Sequence, residues 1–195
     1  MHKFIFAIAI VAYVLGIACN EPYTPKSKGY AIIEFPQKSY QLFNEAGYPY
    51  TFEYPTYAQI SKEVNYFGAS KKGDAWLNIN FPNQQATIYV SYKKVQPNQL
   101  DTLIRDAYTF VNNHNNKASF ITDSVFSTSN GVHGVFFHIG GDVATSYQFF
   151  LTDSARHFFR GALYYNTLPN EDSLAPVNAF IFKDLEKLVN SFRWK

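Results

Sequence analysis

The sequence predicts an α+β fold: a single domain with a mostly antiparallel sheet of about six strands flanked by two helices, preceded by a lipoprotein signal peptide. Three observations carry this prediction. Aromatic residues are abundant, with 15 Tyr, 19 Phe and 2 Trp among 195 residues, and such side chains suit the half-buried surface of a pleated sheet. Two runs, Ala75 to Phe81 and Ala86 to Tyr92, alternate apolar and polar residues with period two, whereas two other stretches switch to the helical period. Hydrophobic residues make up 47% and charged residues 16%, which is enough apolar content for one core and too little charge for disorder.

The N-terminus has the form of an export signal. Met1-His2-Lys3 is a basic start, and Phe4 to Leu15 is an uncharged run of twelve residues that leads into Gly16-Ile17-Ala18-Cys19. Residues 1–18 therefore read as a secretory leader, since a membrane-spanning helix needs about 20 apolar residues. Cys19 is the only cysteine, so no disulfide can form within the chain and the fold must stand on packing. A cysteine at a small-residue cleavage point resembles a bacterial lipobox, although Leu15 stands one place further from Cys19 than the usual leucine. Lipidation of Cys19 by two or three acyl chains would attach the protein firmly where a single chain is marginal. The alternative is ordinary cleavage after Ala18, which leaves Cys19 unmodified; lipidation is favoured because it explains why the lone cysteine stands at the junction. Residues 19–29 carry Pro22, Pro25, Ser27 and Gly29 and read as a tether. It either reaches about 30 Å from the bilayer or lies along the globular domain, residues 30–195.

Within that domain, Tyr30 to Phe35 and Tyr50 to Tyr54 are short β-rich runs bounded by Pro36, Pro49 and Pro55, as at a sheet edge. Ala75 to Phe81 and Ala86 to Tyr92 alternate in phase around Pro82-Asn83-Gln84-Gln85, which predicts a hairpin. Leu100, Leu103, Ile104, Ala107, Tyr108 and Val111 then form one helical stripe, with Asn98 as its cap and the Asn-rich stretch 112–116 as its end. Four more strands are predicted near 118–126, 132–139, 144–151 and 156–165, joined by turns short enough to make neighbours antiparallel. A loop over 166–176 leads to a terminal helix with stripe Val177, Phe180, Ile181, Leu185, Leu188, Val189 and Phe192, and with Arg193 and Lys195 in its last turn. The outline is similar to the PsbP and Mog1-like sandwich, an analogy of architecture that carries no function.

The composition excludes several function classes. Once Lys3 leaves with the leader, sixteen Lys and Arg face fifteen Asp and Glu, too small an excess for a nucleic-acid partner. Asp153, Ser154 and His157 are residue types of a nucleophilic triad, but the first two fall in a tight turn and no Gly-x-Ser-x-Gly elbow is present. His133 and His138 lie five apart on a strand and so point to opposite faces, and no zinc-type spacing occurs; no metal or cofactor is implied. In the last predicted hairpin, pairing Leu151 with Arg156 sets Tyr147 opposite Arg160 and Phe149 opposite Phe158. Gln148, Phe150 and His157 then share the other face. Arg156, Arg160, Tyr147 and His157 are the candidate partner-binding residues, since arginine and aromatic side chains supply most binding hot spots. The plainer reading has Arg160 stack on Tyr147 or pair with a carboxylate to complete the domain.

Specific motifs carry a family resemblance. Gln148-Phe149-Phe150, Thr152-Asp153-Ser154, the run from His157 to Tyr164 and the run from Leu168 to Pro176 resemble the gliding-motility lipoproteins of the GldD family from Bacteroidetes. Tyr23-Thr24-Pro25-Lys26 with Gly29-Tyr30, the run from Tyr48 to Glu53, and Ser91-Tyr92-Lys93 extend the match over nearly all of the mature chain. The resemblance implies a periplasm-facing lipoprotein needed in a gliding machinery that is linked to type IX secretion. It supplies no catalytic residues. The implied partners are other envelope proteins, with the membrane engaged through the N-terminal lipid. The rival reading is a periplasmic small-ligand-binding protein or hydrolase, whose pocket would gather His157, Gln148 and Arg160.

Overall fold

The computed structural model describes residues 33–62 and 75–195, together with the backbone of Asn65–Tyr66 and Ala69–Ser70. The leader, Cys19 and the tether lie outside the described residues. The strands are β1 (Tyr40–Phe43), β2 (Tyr50–Pro55), β3 (Gln59–Ser61), β4 (Asn65–Tyr66), β5 (Ala69–Ser70), β6 (Leu77–Phe81) and β7 (Ala86–Lys94). Helix α1 (Leu100–Asn112) follows, then β8 (Ala118–Ser127), β9 (His133–Gly141), β10 (Tyr147–Thr152) and β11 (His157–Tyr165), and finally helix α2 (Glu171–Ser191) and β12 (Arg193–Trp194).

A seven-stranded sheet in the order β3-β6-β7-β11-β10-β9-β8 forms the body, and every pairing in it is antiparallel. The β6–β7 hairpin and the β8-to-β11 meander are two local units, and β11 joins them by pairing Gly161 with Val90. Helix α1 carries the chain from β7 across one face to β8 at the far edge. Leu103, Ala107 and Val111 of α1 are buried there on Val135, Phe137, Ile139, Phe150 and Phe158. The other face is covered by α2, through Val177, Ile181, Leu185, Leu188 and Val189, and by a second sheet, β1-β2-β12. That small sheet brings Phe43, Tyr50 and Phe52 onto Phe159 and Phe192 in one aromatic cluster. Being covered on both faces, β10 is buried at all six positions, which is why Tyr147 to Thr152 reads as a continuous rather than an alternating apolar run. Gly161 stands opposite Phe149, and a Cβ on it would meet the Phe149 ring at 2.4 Å; the glycine is there to make room.

The α+β class, the two helices and the mainly antiparallel sheet agree with the prediction, with seven strands in the main sheet instead of about six. Several local expectations are corrected. Ile33 to Phe35 form no strand, and β1 begins at Tyr40. Phe35 stacks on Phe180 at 4.3 Å, so this segment is held by side chains against α2 and not by a ladder. Asn98 does not cap α1: it takes a left-handed φ of 62°, and Gln99 holds the cap position while its Oε1 accepts from the Gln96 N–H at 3.1 Å. The predicted loop 166–176 ends early, because α2 starts at Glu171. Asn170 accepts from the Ser173 N–H at 2.8 Å, a capping bond that sets the helix start ahead of Pro176. Arg193 and Lys195 are not in a helical turn either. Phe192 turns extended and is fully buried, and Arg193–Trp194 continue as β12 opposite Thr51 and Tyr50.

Candidate functional site

The last hairpin holds all four residues singled out for partner binding, and its turn decides where they go. Asp153 Oδ1 accepts N–H bonds from Ala155, Arg156 and His157 at 3.1, 2.8 and 2.9 Å. Burial pushes the Asp153 carboxyl up, but these three donors outweigh it and hold the group below its ordinary range. The turn so built pairs Thr152 with Phe158, Phe150 with Arg160 and Tyr147 with Leu163. This register is three residues away from the one expected, and an odd shift exchanges the faces. Tyr147 and Arg160 therefore lie on opposite faces of the sheet, and Phe149 meets Gly161 instead of Phe158. His157 shares its face with Tyr147, whereas Arg160 shares its face with Gln148.

Each of the four residues then has its own surroundings. Arg156 is exposed in the turn, with Nε 3.8 Å from Asp153. Arg160 donates from Nη2 to Gln148 Oε1 at 2.6 Å, and its guanidinium lies 4.5 Å from the Phe110 ring centre; the stacking partner is Phe110 of α1 and not Tyr147. Beside it a cavity of about 180 Å³ opens between α1 and the sheet, bordered by Ser91, Lys93, Asp106, Phe110 and Phe158. Gln148 is 1% exposed and its Nε2 finds no partner among the described residues. His157 is packed on the other side, its Nδ1 2.8 Å from the Tyr92 hydroxyl and its ring stacked on Trp194 at 4.9 Å. Burial lowers the His157 pKa, with Asp153 opposing. Gln148 and Arg160 meet, but the pocket drawn to join them with His157 does not form. Ser154, in the same turn, is exposed at a φ of 63°, and His157 Nδ1 is engaged by the Tyr92 hydroxyl instead.

A polar cluster that sequence reasoning missed lies on α2. Asp184 is 2% exposed. It accepts from the hydroxyls of Tyr40 and Tyr57 at 3.0 and 2.7 Å and pairs with Lys38 Nζ at 2.7 Å. Lys38 also donates to the Tyr57 hydroxyl at 2.9 Å and to the Phe180 carbonyl at 2.8 Å. Burial lowers the Lys38 pKa and Asp184 partly restores it. Burial and then Asp184 push the Tyr40 phenol up to about 12, and Tyr57 is raised further for the same reasons. The arrangement is a clamp: one buried carboxylate ties the chain before β1 and the turn after β2 to the terminal helix. One signal was available, because Asp184 lies inside the apolar stripe of Ile181, Leu185 and Leu188, where an acid needs a partner.

Among the described residues no group of three His, Cys, Asp or Glu side chains is placed to hold a metal ion. His133 meets Ser127 Oγ at 2.9 Å and His138 stacks on Tyr147 at 4.8 Å, on opposite faces as their spacing requires. No described helix is long and apolar enough to cross a membrane.

Comparison with known proteins gives one family. The family model described as gliding motility lipoprotein GldD matches residues 20–194. No curated protein matches. Among solved structures, the chain is similar to that of cyanobacterial PsbP from Synechocystis sp. PCC 6803, at 14% identity and a TM-score of 0.48, covering 85% of this chain and 98% of that one.

Proposed function

The chain belongs to the gliding motility lipoprotein GldD family, and from that premise we infer a lipid-anchored, periplasm-facing component of the gliding machinery. In this reading it is linked to type IX secretion and acts through protein partners and not by catalysis. The carrying observation is the extent of the family match, which runs from the residue after Cys19 almost to the C-terminus. The site geometry supports it. Asp153 is spent on a turn, His157 is packed between Tyr92 and Trp194, and Arg160 is engaged by Gln148 and Phe110. In this reading Cys19 carries the acyl chains, and Arg156, exposed at the hairpin tip, is the member of the arginine and aromatic set best placed to touch a partner.

Cells carrying Cys19→Ala should lose fatty-acid labelling of the protein and lose gliding, and crosslinking in intact wild-type cells should capture other envelope proteins. Wild-type protein with an unmodified Cys19 thiol and amine would refute the anchor. Gliding that persists without the protein would refute the role.

A further inference from the structure

The two edges of the seven-stranded sheet are unlike each other. At one end β3 has three residues, whereas at the other β8 runs for ten, and none of the ten is buried. Proteins commonly blunt a sheet edge with shortness, Lys, Pro or a bulge. β8 contains no Lys, Arg or Pro, and its one irregularity lies at its beginning, between Ala118 and Phe120. No Lys or Arg occurs anywhere from Ala118 to Ser146, while Asp123 and Asp142 do. Among the described residues no strand pairs with the outer side of β8.

A groove lies beside this edge. On the face covered by α2, the small side chains of Thr122 and Ser124 leave a space of about 330 Å³ whose other walls are Phe136, His138, Tyr147 and Phe182. Glu171 acts on His138 and Glu186 on Tyr147; both carboxylates are exposed on α2, as is Lys183 beside Phe182. The groove is thus aromatic inside, with two carboxylates of α2 acting on its walls. On the opposite face of β8, Val125 is 78% exposed.

We propose that β8 is a docking edge that takes an extended, basic segment of a protein partner as an eighth strand. One large apolar side chain of that segment leans over Thr122 and Ser124 into the groove. Strand addition draws its affinity from main-chain hydrogen bonds, and alternate side chains supply specificity. Charge chooses the occupant, since Asp123, Glu171 and Glu186 favour lysine or arginine on the incoming strand. A second copy of this chain brings no basic residue to the edge, because β8 holds no Lys or Arg, and the register that sets Asp123 opposite Asp123 would oppose like charges. The proposal deepens the partner-binding role by naming the kind of segment that is bound.

The test uses the full chain in detergent micelles and a nine-residue fluorescent peptide that alternates lysine or threonine with valine around one central phenylalanine. The lysine peptide should bind about tenfold or more tighter than its glutamate counterpart and should slow hydrogen exchange within 118–127. Ser124→Trp, which fills the groove, and Asp123→Lys, which reverses the charge, should each weaken binding about tenfold. Both positions are exposed, so melting should change little, with Asp123→Lys giving up only the exposed 3.4 Å bond that Asp123 accepts from the Tyr108 hydroxyl; should either variant misfold, the other carries the comparison. Equal binding of the two peptides overturns the proposal, as does protection confined to other segments. A concentration-dependent dimer that protects 118–127 without peptide overturns it in favour of a second copy. Peptide binding does not read motility, so its failure leaves the family-based role standing, and a failure of that role would leave peptide binding unchanged.

Discussion

Replacing Asp184 by Ala should destabilise the protein more than any surface substitution. The loss leaves the hydroxyls of Tyr40 and Tyr57 without the acceptor they reach at 3.0 and 2.7 Å, and an unsatisfied buried polar group costs about 1–3 kcal/mol. Lys38 loses its counter-ion, but its side chain is 26% exposed and keeps the Tyr57 hydroxyl and the Phe180 carbonyl. Its share is therefore well below the roughly 3–5 kcal/mol of a fully buried broken pair. Together these give about 2–4 kcal/mol for Asp184→Ala. Lys38→Met should cost about 1–3 kcal/mol, because Asp184 retains two phenol donors. The double substitution should cost less than the two singles combined, since the groups share one network. Urea unfolding followed by the fluorescence of Trp76 and Trp194 measures all three, and hydrogen exchange over 33–43 should rise in each variant. A loss under about 0.5 kcal/mol for Asp184→Ala, or strict additivity, would refute the view that this carboxylate clamps the N-terminal segment.

Further predictions follow from burial and titration. Burial, with Asp184 adding to it, pushes the Tyr40 phenol from an ordinary 10.0 up to about 12, and Tyr50 and Tyr57 are raised further, in each case first by burial. Their stabilising effect is whole below the unfolded value and lost as pH rises above it; Lys38, lowered by burial, opposes the trend but is outnumbered. Phenolate absorbance should lag behind that of free tyrosine until the fold opens, and a normal titration of every tyrosine would contradict this. His114, His138 and His157 are all lowered by burial from 6.5. Their stabilising effect is present above that value and lost as pH falls through the folded values, so the urea midpoint should drop on acidification from neutral, and less so in His157→Phe. Gly161→Ala puts a methyl 2.4 Å from atoms of the Phe149 ring and should cost about 1–3 kcal/mol; a melting temperature equal to wild type would show that the ring can move aside.

What could be read in advance was what depends on near neighbours in the chain. The in-phase alternation of Leu77, Ile79 and Phe81 with Ala86, Ile88 and Val90 is a local pattern, and the two strands pair as expected. The stripe of Leu103, Ala107 and Val111 likewise settles α1 and the face it buries, because the helical period is a property of the backbone. The opposite orientations of His133 and His138 needed only their odd spacing. Local signals failed where two conformations were both plausible and a distant contact chose between them. Ile33 to Phe35 have strand-forming composition, but Phe35 finds Phe180 and Lys38 finds Asp184. The end of α2 has the basic residues of a helix C-terminus, but Phe192 fits the cluster of Tyr50, Phe52 and Phe159, and burying it pulls Arg193–Trp194 into β12.

The candidate site divides in the same way. The composition and spacing of the chain by themselves pointed to an α+β class and offered no familiar phosphate-binding, zinc-binding or elbow motif, and an export leader with Cys19 at its junction is the expectation they raise for residues outside the described ones. Only the tertiary structure decided which side chains of the last hairpin meet. Three backbone bonds to Asp153 lengthen its turn beyond the expected form, and an odd register shift moves every side chain of one strand to the other face. That change parted Arg160 from Tyr147 and joined it to Gln148 and Phe110. The Asp184 clamp, whose members Lys38, Tyr40 and Tyr57 lie more than 120 positions away in sequence, is likewise a product of folding, because partners so far apart leave no periodicity for the chain to display.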